Sequence, residues 1–92
     1  MPITAPQSER LRLIARDIAG ARGHPSPRVR AQAAAWTDDE LVRARKAIDR
    51  VIADDDGFTA HGIIRCYHSG QGLHRAVMFL VRGQEMPLEQ KV

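Results

Sequence analysis

The sequence has few of the residues that cross-link a chain or hold it in a membrane. Cys66 is the only cysteine among 92 residues, so it cannot form an internal disulfide, as expected in a reducing compartment. No apolar run approaches the ~20 residues that span a bilayer, and no basic segment followed by an apolar one opens the sequence. We therefore expect a soluble, cytoplasmic protein with no membrane partner.

Motifs for metal, nucleotide and catalytic sites are also lacking. The possible zinc ligands His61, Cys66, His68 and His74 are spaced H-x4-C-x-H-x5-H, whereas recognisable zinc sites pair ligands as C-x2–4-C or H-x3–5-H. The glycines match neither nucleotide-binding fingerprint. Cys66 and His68 would share one face of a strand, but no third catalytic group accompanies them. We predict no metal, no cofactor and no enzymatic activity.

What the sequence does have is positive charge. The formal net charge is +3, the pI is about 9.8, and arginine greatly outnumbers lysine. Residues 1–36 hold six basic and two acidic side chains, whereas residues 37–56 hold four and seven. Arginine suits bidentate contact with phosphate, so a polyanionic partner is admissible.

The length suits one compact domain, which we place at residues 8–83 between a flexible N-terminal tail at 1–7 and a C-terminal tail at 84–92. Ser8 is a suitable N-cap for a first helix that runs to about Arg22. Gly23 and Pro25 then supply a stop. Apolar residues at helical spacing predict its buried stripe: Leu11, Ile14, Ala15, Ile18 and Ala21.

Two further helices follow. Ser26-Pro27 is typical of an N-cap and first helical position, and Val29, Ala33 and Trp36 would line the buried side. Thr37 and Glu40 form a capping box, with Trp36 and Leu41 as a hydrophobic staple, so a third helix should run to about Ala53. Its buried stripe is predicted as Leu41, Ala44, Ile48, Val51 and Ile52. The tight break between these two helices predicts a helix-turn-helix-like corner. The aspartates at 54–56 belong to the turn that follows, or to the start of the next element.

Residues 58–82 admit two interpretations. As a β-hairpin around Ser69-Gly70-Gln71-Gly72, strands 61–68 and 73–82 would have one apolar face and one half-polar face. As two helices, residues 60–67 and 73–81 also match helical spacing, with Gly70 and Gly83 as stops. The paired glycines of the loop, Gly62 in the middle of an element, and the β-branched and aromatic residues favour the hairpin. We therefore predict an α+β, winged-helix-like fold, with an all-α five-helix bundle as the alternative.

The basic side chains suggest a function. Arg43, Lys46 and Arg50 recur at i, i+3 and i+7 on the side of the third helix opposite its buried stripe. Together with residues of the second helix and the hairpin, they would form a winged-helix surface that contacts the phosphate backbone of nucleic acid. The other predicted contact residues are Arg28, Arg30, Arg65, Tyr67 and His74. We thus expect a small DNA-binding or transcription-regulatory protein.

An alternative is a small inhibitor or adaptor, of the kind that phages and mobile elements encode, which binds a partner protein stoichiometrically. Leu13, Met78 and Leu80 would then form the apolar contact patch. A homodimer is compatible with either function, because a hairpin edge or the alanine-rich second helix could pair across a two-fold axis.

Overall fold

The protein is all-α in the part of the chain that the structure describes, residues 1–68 and 71–82 of a computed structural model. A short 310 turn at Ala21–Gly23 separates the first two of five α-helices. The helices are α1 Ala5–Ala19, α2 Pro27–Ala33, α3 Asp38–Ala53, α4 Gly57–Tyr67 and α5 Gly72–Arg82. The described residues contain no strand, so the α+β prediction is wrong and the five-helix alternative fits.

Helix α1 begins earlier than the sequence suggested. Thr4, not Ser8, is its N-cap: the Thr4 hydroxyl accepts a hydrogen bond from the Gln7 N–H at 3.2 Å, and the Gln7 side chain accepts one from the Thr4 N–H at 3.0 Å. This pair completes a capping box four residues upstream of the predicted start. The helix ends at Ala19, and the predicted last turn, which contains Arg22, is a 310 turn instead.

The starts of α2 and α3 agree with the sequence. Ser26 caps α2, with Pro27 as its first residue. The predicted box at α3 is confirmed, because the Thr37 hydroxyl accepts from the Glu40 N–H at 3.1 Å and the Glu40 carboxylate accepts from the Thr37 N–H at 2.9 Å. These bonds lower the pKa of Glu40 below its ordinary value.

The core lies where α1, α3, α4 and α5 meet, and it contains most of the predicted apolar stripes. Of these residues, Leu11, Ile14, Ile18 and Ala21, then Ala33 and Trp36, then Leu41, Ala44, Ile48 and Val51 are buried. Ala15, Val29 and Ile52 pack against this core while remaining partly exposed. α1 packs against α3 and α4, and α5 packs against α2, α3 and α4.

A sharp turn separates α3 from α4. Asp54 caps the end of α3, Asp55 adopts the left-handed conformation at φ 55°, and Asp56 is the N-cap of α4. The Asp56 carboxylate accepts from the Thr59 N–H at 3.1 Å and from the Thr59 hydroxyl at 2.6 Å. The three aspartates therefore build the turn and start the next helix, as the sequence suggested.

Gly62 explains why this segment resembled a hairpin. A glycine in the middle of an element argues against a helix, yet a Cβ at Gly62 would lie only 3.2 Å from the Phe79 ring. The missing side chain lets α5 pack closely on α4. Gly72 has a similar role, because a Cβ there would lie 2.2 Å from the Tyr67 carbonyl oxygen. Gly62 and Gly72, which favoured a hairpin, thus permit close packing instead. Ser69, Gly70, Gly83 and the predicted C-terminal tail 84–92 lie outside the described residues.

Candidate functional site

The predicted basic cluster of α3 lies on its solvent-exposed side. Arg43, Lys46 and Arg50 are all exposed, opposite the buried stripe. The Arg43 Nε lies 3.6 Å from the carboxylate of Asp39, one turn earlier, and both side chains are exposed. Within the described residues, neither Lys46 nor Arg50 forms an ion pair. The cluster therefore has two unpaired cations and one that is weakly neutralised.

Helix α1, which packs against α3, has two more exposed arginines. α1 and α3 run antiparallel, because the Ile3 N–H donates to Asp55 near one end of the pair and Arg22 contacts Asp38 at the other. Arg12 and Arg16 are exposed, one turn apart, and have no ion-pair partner in the described structure. We call the outer surface with Arg12, Arg16, Lys46 and Arg50 the α1–α3 face.

A shallow groove of about 240 Å³ separates the two helices near the start of α3. Ile18, Leu41 and Val42 make its lining mainly apolar, and Arg45 also contributes to it. The α1–α3 face therefore combines charged side chains on the helices with an apolar depression between them.

Carboxylates reduce the positive charge of this face. Glu9, Asp39 and Asp49 are exposed on the same two helices. The first turn of α3 is acidic throughout, with Asp38, Asp39 and Glu40. The positive charge of α3 therefore lies along its middle and C-terminal half, away from the turn that a recognition helix uses to read bases.

The predicted residues of α2 do not join this face. Arg28 and Arg30 are exposed on a helix that packs against the 310 turn and α5. The guanidinium of Arg30 donates a hydrogen bond to the carbonyl of His24. The structure therefore separates these two arginines from the α3 cluster.

The predicted wing does not exist, because its three residues lie on two helices. Of these three residues, only Arg65, which lies on α4, is exposed. Tyr67 is half-buried, and its hydroxyl donates to Asp17 of α1 at 2.5 Å. Burial, together with this hydrogen bond to a carboxylate, raises the pKa of Tyr67 above its ordinary range. The His74 ring lies 5.1 Å from the Trp36 ring, between centroids. Tyr67 and His74 thus make contacts within the protein.

Arg22 has a structural role that the sequence did not predict. Its guanidinium donates to the carbonyls of Ala33 at 3.0 Å and Trp36 at 2.6 Å, and its Nε contacts Asp38 at 2.8 Å. It joins the 310 turn to the end of α2 and the start of α3. No local pattern could have shown this, because the partners are 11 to 16 residues away.

The apolar patch predicted for a partner protein is only partly exposed. Leu13 is 44% exposed on α1, as expected, whereas Met78 and Leu80 pack against the core and are half-buried. Hence these three residues do not form one open surface.

The arrangement of titratable groups indicates structural roles. Cys66 in the last turn of α4 and its C-cap His68 point in directions roughly 160° apart around the helix axis, so the side-by-side placement expected on a strand is wrong. His24 contacts Asp17 through Nε2 at 3.3 Å and accepts the Ser26 N–H at Nδ1, so both ring nitrogens have partners. Residues 1–68 and 71–82 contain no group of three or more side chains that could hold a metal ion.

None of the described helices is long and apolar enough to cross a membrane. Comparison with protein-family models, with curated proteins and with solved structures gave no match to this chain.

Proposed function

We propose that this protein is a small, non-catalytic nucleic-acid-binding protein whose α1–α3 face contacts the phosphate backbone. The supporting observation is the placement of four exposed cations, Arg12, Arg16, Lys46 and Arg50, on two adjacent antiparallel helices with no carboxylate partner among the described residues. Arginine forks suit phosphate oxygens, and cations without internal partners lose no ion pair on binding.

The mode of contact follows from the charge along α3. The acidic first turn would repel phosphate, so insertion of that end of the helix into a groove is disfavoured. The outer side of α3, beside α1, would instead lie along the backbone. Contacts of this kind fix position without reading sequence, so binding should be strongly salt-dependent and weakly sequence-specific.

Salt dependence provides the test. We would measure binding of a labelled duplex by fluorescence anisotropy over a range of salt concentrations. If Lys46 and Arg50 each neutralise one phosphate, the double variant Lys46→Ala/Arg50→Ala should shallow the slope of log K against log salt by about 1.8, at about 0.9 per phosphate. Adding Arg12→Ala and Arg16→Ala should bring the total change to about 3.6.

A matched control removes the same charge elsewhere. Arg28→Ala/Arg75→Ala also deletes two exposed arginines, but from α2 and α5, and should leave the slope nearly unchanged. Asp39→Asn should make the slope of log K against log salt steeper, because it frees Arg43 from its weak ion pair and removes a carboxylate that repels phosphate. Absence of salt-dependent binding to duplex or single strands would refute the function. Equal effects of the two double variants would refute the assignment of the face.

A further inference from the structure

The outer side of α4 carries an exposed aromatic residue that neither the core nor the proposed function uses. Phe58 is 73% exposed, and His61 and Arg65 follow it at i+3 and i+7 on the same side of the helix. Met1, which is 76% exposed, adjoins this stripe because its carbonyl accepts the Gly57 N–H at 2.7 Å. Phenylalanine is enriched at protein interfaces relative to the rest of the surface.

The stripe has opposite charges at its two ends. At the start of α4 lie Asp54 and Asp55, both exposed, and Asp56, whose pKa is lowered by its hydrogen bonds to Thr59. The other end has the exposed Arg65. Arg10 lies close to that end, with its Nη1 2.7 Å from the Nε2 of His68, the residue after α4. A face that is acidic at one end and basic at the other complements an inverted copy of itself.

We propose that a second copy of this chain docks on the α4 stripe, with the two α4 helices antiparallel about a two-fold axis near His61. That register places Phe58 of each chain against Arg65 of the other, where the guanidinium can lie over the ring. It brings each acidic turn toward the other chain's Arg65 and Arg10. It also sets the two helix dipoles in opposition, which is favourable. Nucleic acid fits this face less well, because the acidic turn beside Phe58 repels phosphate.

The size of the stripe sets the expected strength. One face of an 11-residue helix, with Met1 beside it, is small compared with the ~1,200–2,000 Å² that stable interfaces bury. We therefore expect a weak, reversible dimer that is largely dissociated at about 10 µM and forms as the concentration rises toward about 1 mM. Since the α1–α3 face lies on other residues, dimerisation and nucleic-acid binding can succeed or fail independently.

Sedimentation equilibrium of the full chain, from about 10 µM to about 1 mM, tests the proposal. The average mass should rise with concentration from 10.2 kDa toward twice that value. Phe58→Ala and Arg65→Glu should each weaken association at least tenfold, while circular dichroism confirms that the exposed substitutions leave the fold intact. The matched controls Val42→Ala and Arg28→Glu, on α3 and α2, should leave association unchanged.

Cross-linking locates the axis. In a Cys66→Ser background, His61→Cys should form an intermolecular disulfide on mild oxidation, because residues near a two-fold axis can approach within the ~4.4–6.8 Å that the Cα atoms of a disulfide require. Ala31→Cys, exposed on α2, should not. A monomer at the highest concentration would overturn the proposal. So would a dimer that is insensitive to Phe58→Ala and Arg65→Glu, since the interface would then lie elsewhere.

Discussion

Removing the Arg22 guanidinium should destabilise the fold by more than its partly exposed position suggests. Arg22→Ala deletes two hydrogen bonds to the part-buried carbonyls of Ala33 and Trp36, together with the contact to Asp38. A hydrogen bond from a charged donor contributes about 1.5–3 kcal/mol. The Arg22 side chain is 46% exposed, so water screens these bonds and their values must be reduced.

The ion pair adds little to this sum, because the Asp38 side chain is 88% exposed. We expect a total loss of about 2 kcal/mol in the free energy of unfolding, almost all of it from the two carbonyl contacts. For a domain of this size, that loss corresponds to a fall in Tm of about 8–16 °C. Urea denaturation followed by circular dichroism would measure the free energy, and a thermal scan the Tm.

Two comparison variants separate the hydrogen bonds from the charge. Arg22→Lys keeps the charge but lacks the planar fork that reaches both carbonyls, so it should lose more than half of the stability lost in Arg22→Ala. Arg12→Ala removes an exposed arginine with no described partner and should change stability by less than about 0.5 kcal/mol. The reasoning fails if Arg22→Ala costs no more than Arg12→Ala, or if Arg22→Lys is as stable as the unmodified protein.

Three further predictions concern helix starts, close packing and the half-buried Tyr67 hydroxyl. Thr4→Ala should lower the free energy of unfolding, measured by urea denaturation, by about 1 kcal/mol, and Ser8→Ala should lower it much less, because only Thr4 caps α1. The reverse order would show that Ser8 is the N-cap, as the sequence predicted. Gly72→Ala should cost more than about 2 kcal/mol, since its Cβ would overlap the Tyr67 carbonyl, and an unchanged Tm would contradict that close approach. The pKa of Tyr67 is raised in the folded state. The protonated Tyr67 side chain therefore makes its full contribution to the free energy of unfolding below pH ~10, and this contribution is lost as pH rises through the folded-state pKa. Ultraviolet titration of the single tyrosine should show ionisation at lower pH in Asp17→Asn, and an unchanged curve would refute the coupling.

The sequence predicted helices best where capping and periodicity agreed. Thr37 and Glu40 fixed the start of α3, and the apolar spacing from Leu41 to Val51 identified its buried side. At α1 the spacing was informative but the start was not. Ser8 is as good a cap residue as Thr4, and a proline such as Pro6 fits an irregular tail as well as the first turn of a helix.

The hairpin was wrong because its signals have another physical origin. Gly62 in the middle of an element and Gly72 in the predicted loop favoured a hairpin, yet each is required where other atoms approach the helix backbone closely. That requirement depends on Phe79 and on the Tyr67 carbonyl, whose positions no local pattern specifies. In residues 58–82, apolar residues recur both at a spacing of two and at spacings of three and four. Periodicity alone therefore could not distinguish a strand from a helix.

The candidate site was predictable only in part. Helical spacing placed Arg43, Lys46 and Arg50 on one exposed side. The neighbouring position of Arg12 and Arg16 depends on how α1 packs against α3, which is a tertiary property. The stripe that begins at Phe58 could not be foreseen while that segment was assigned to a strand.

The attachment of the first residues to the turn before α4 has a consequence for folding order. The Ile3 N–H bonds to Asp55, 52 residues later, and the Met1 carbonyl accepts the Gly57 N–H. A nascent chain therefore cannot form these two hydrogen bonds until residues 55–57 have been synthesised. We expect α1 to dock late, with its apolar side available to chaperones in the interval, and hydrogen exchange to begin there when the native protein opens.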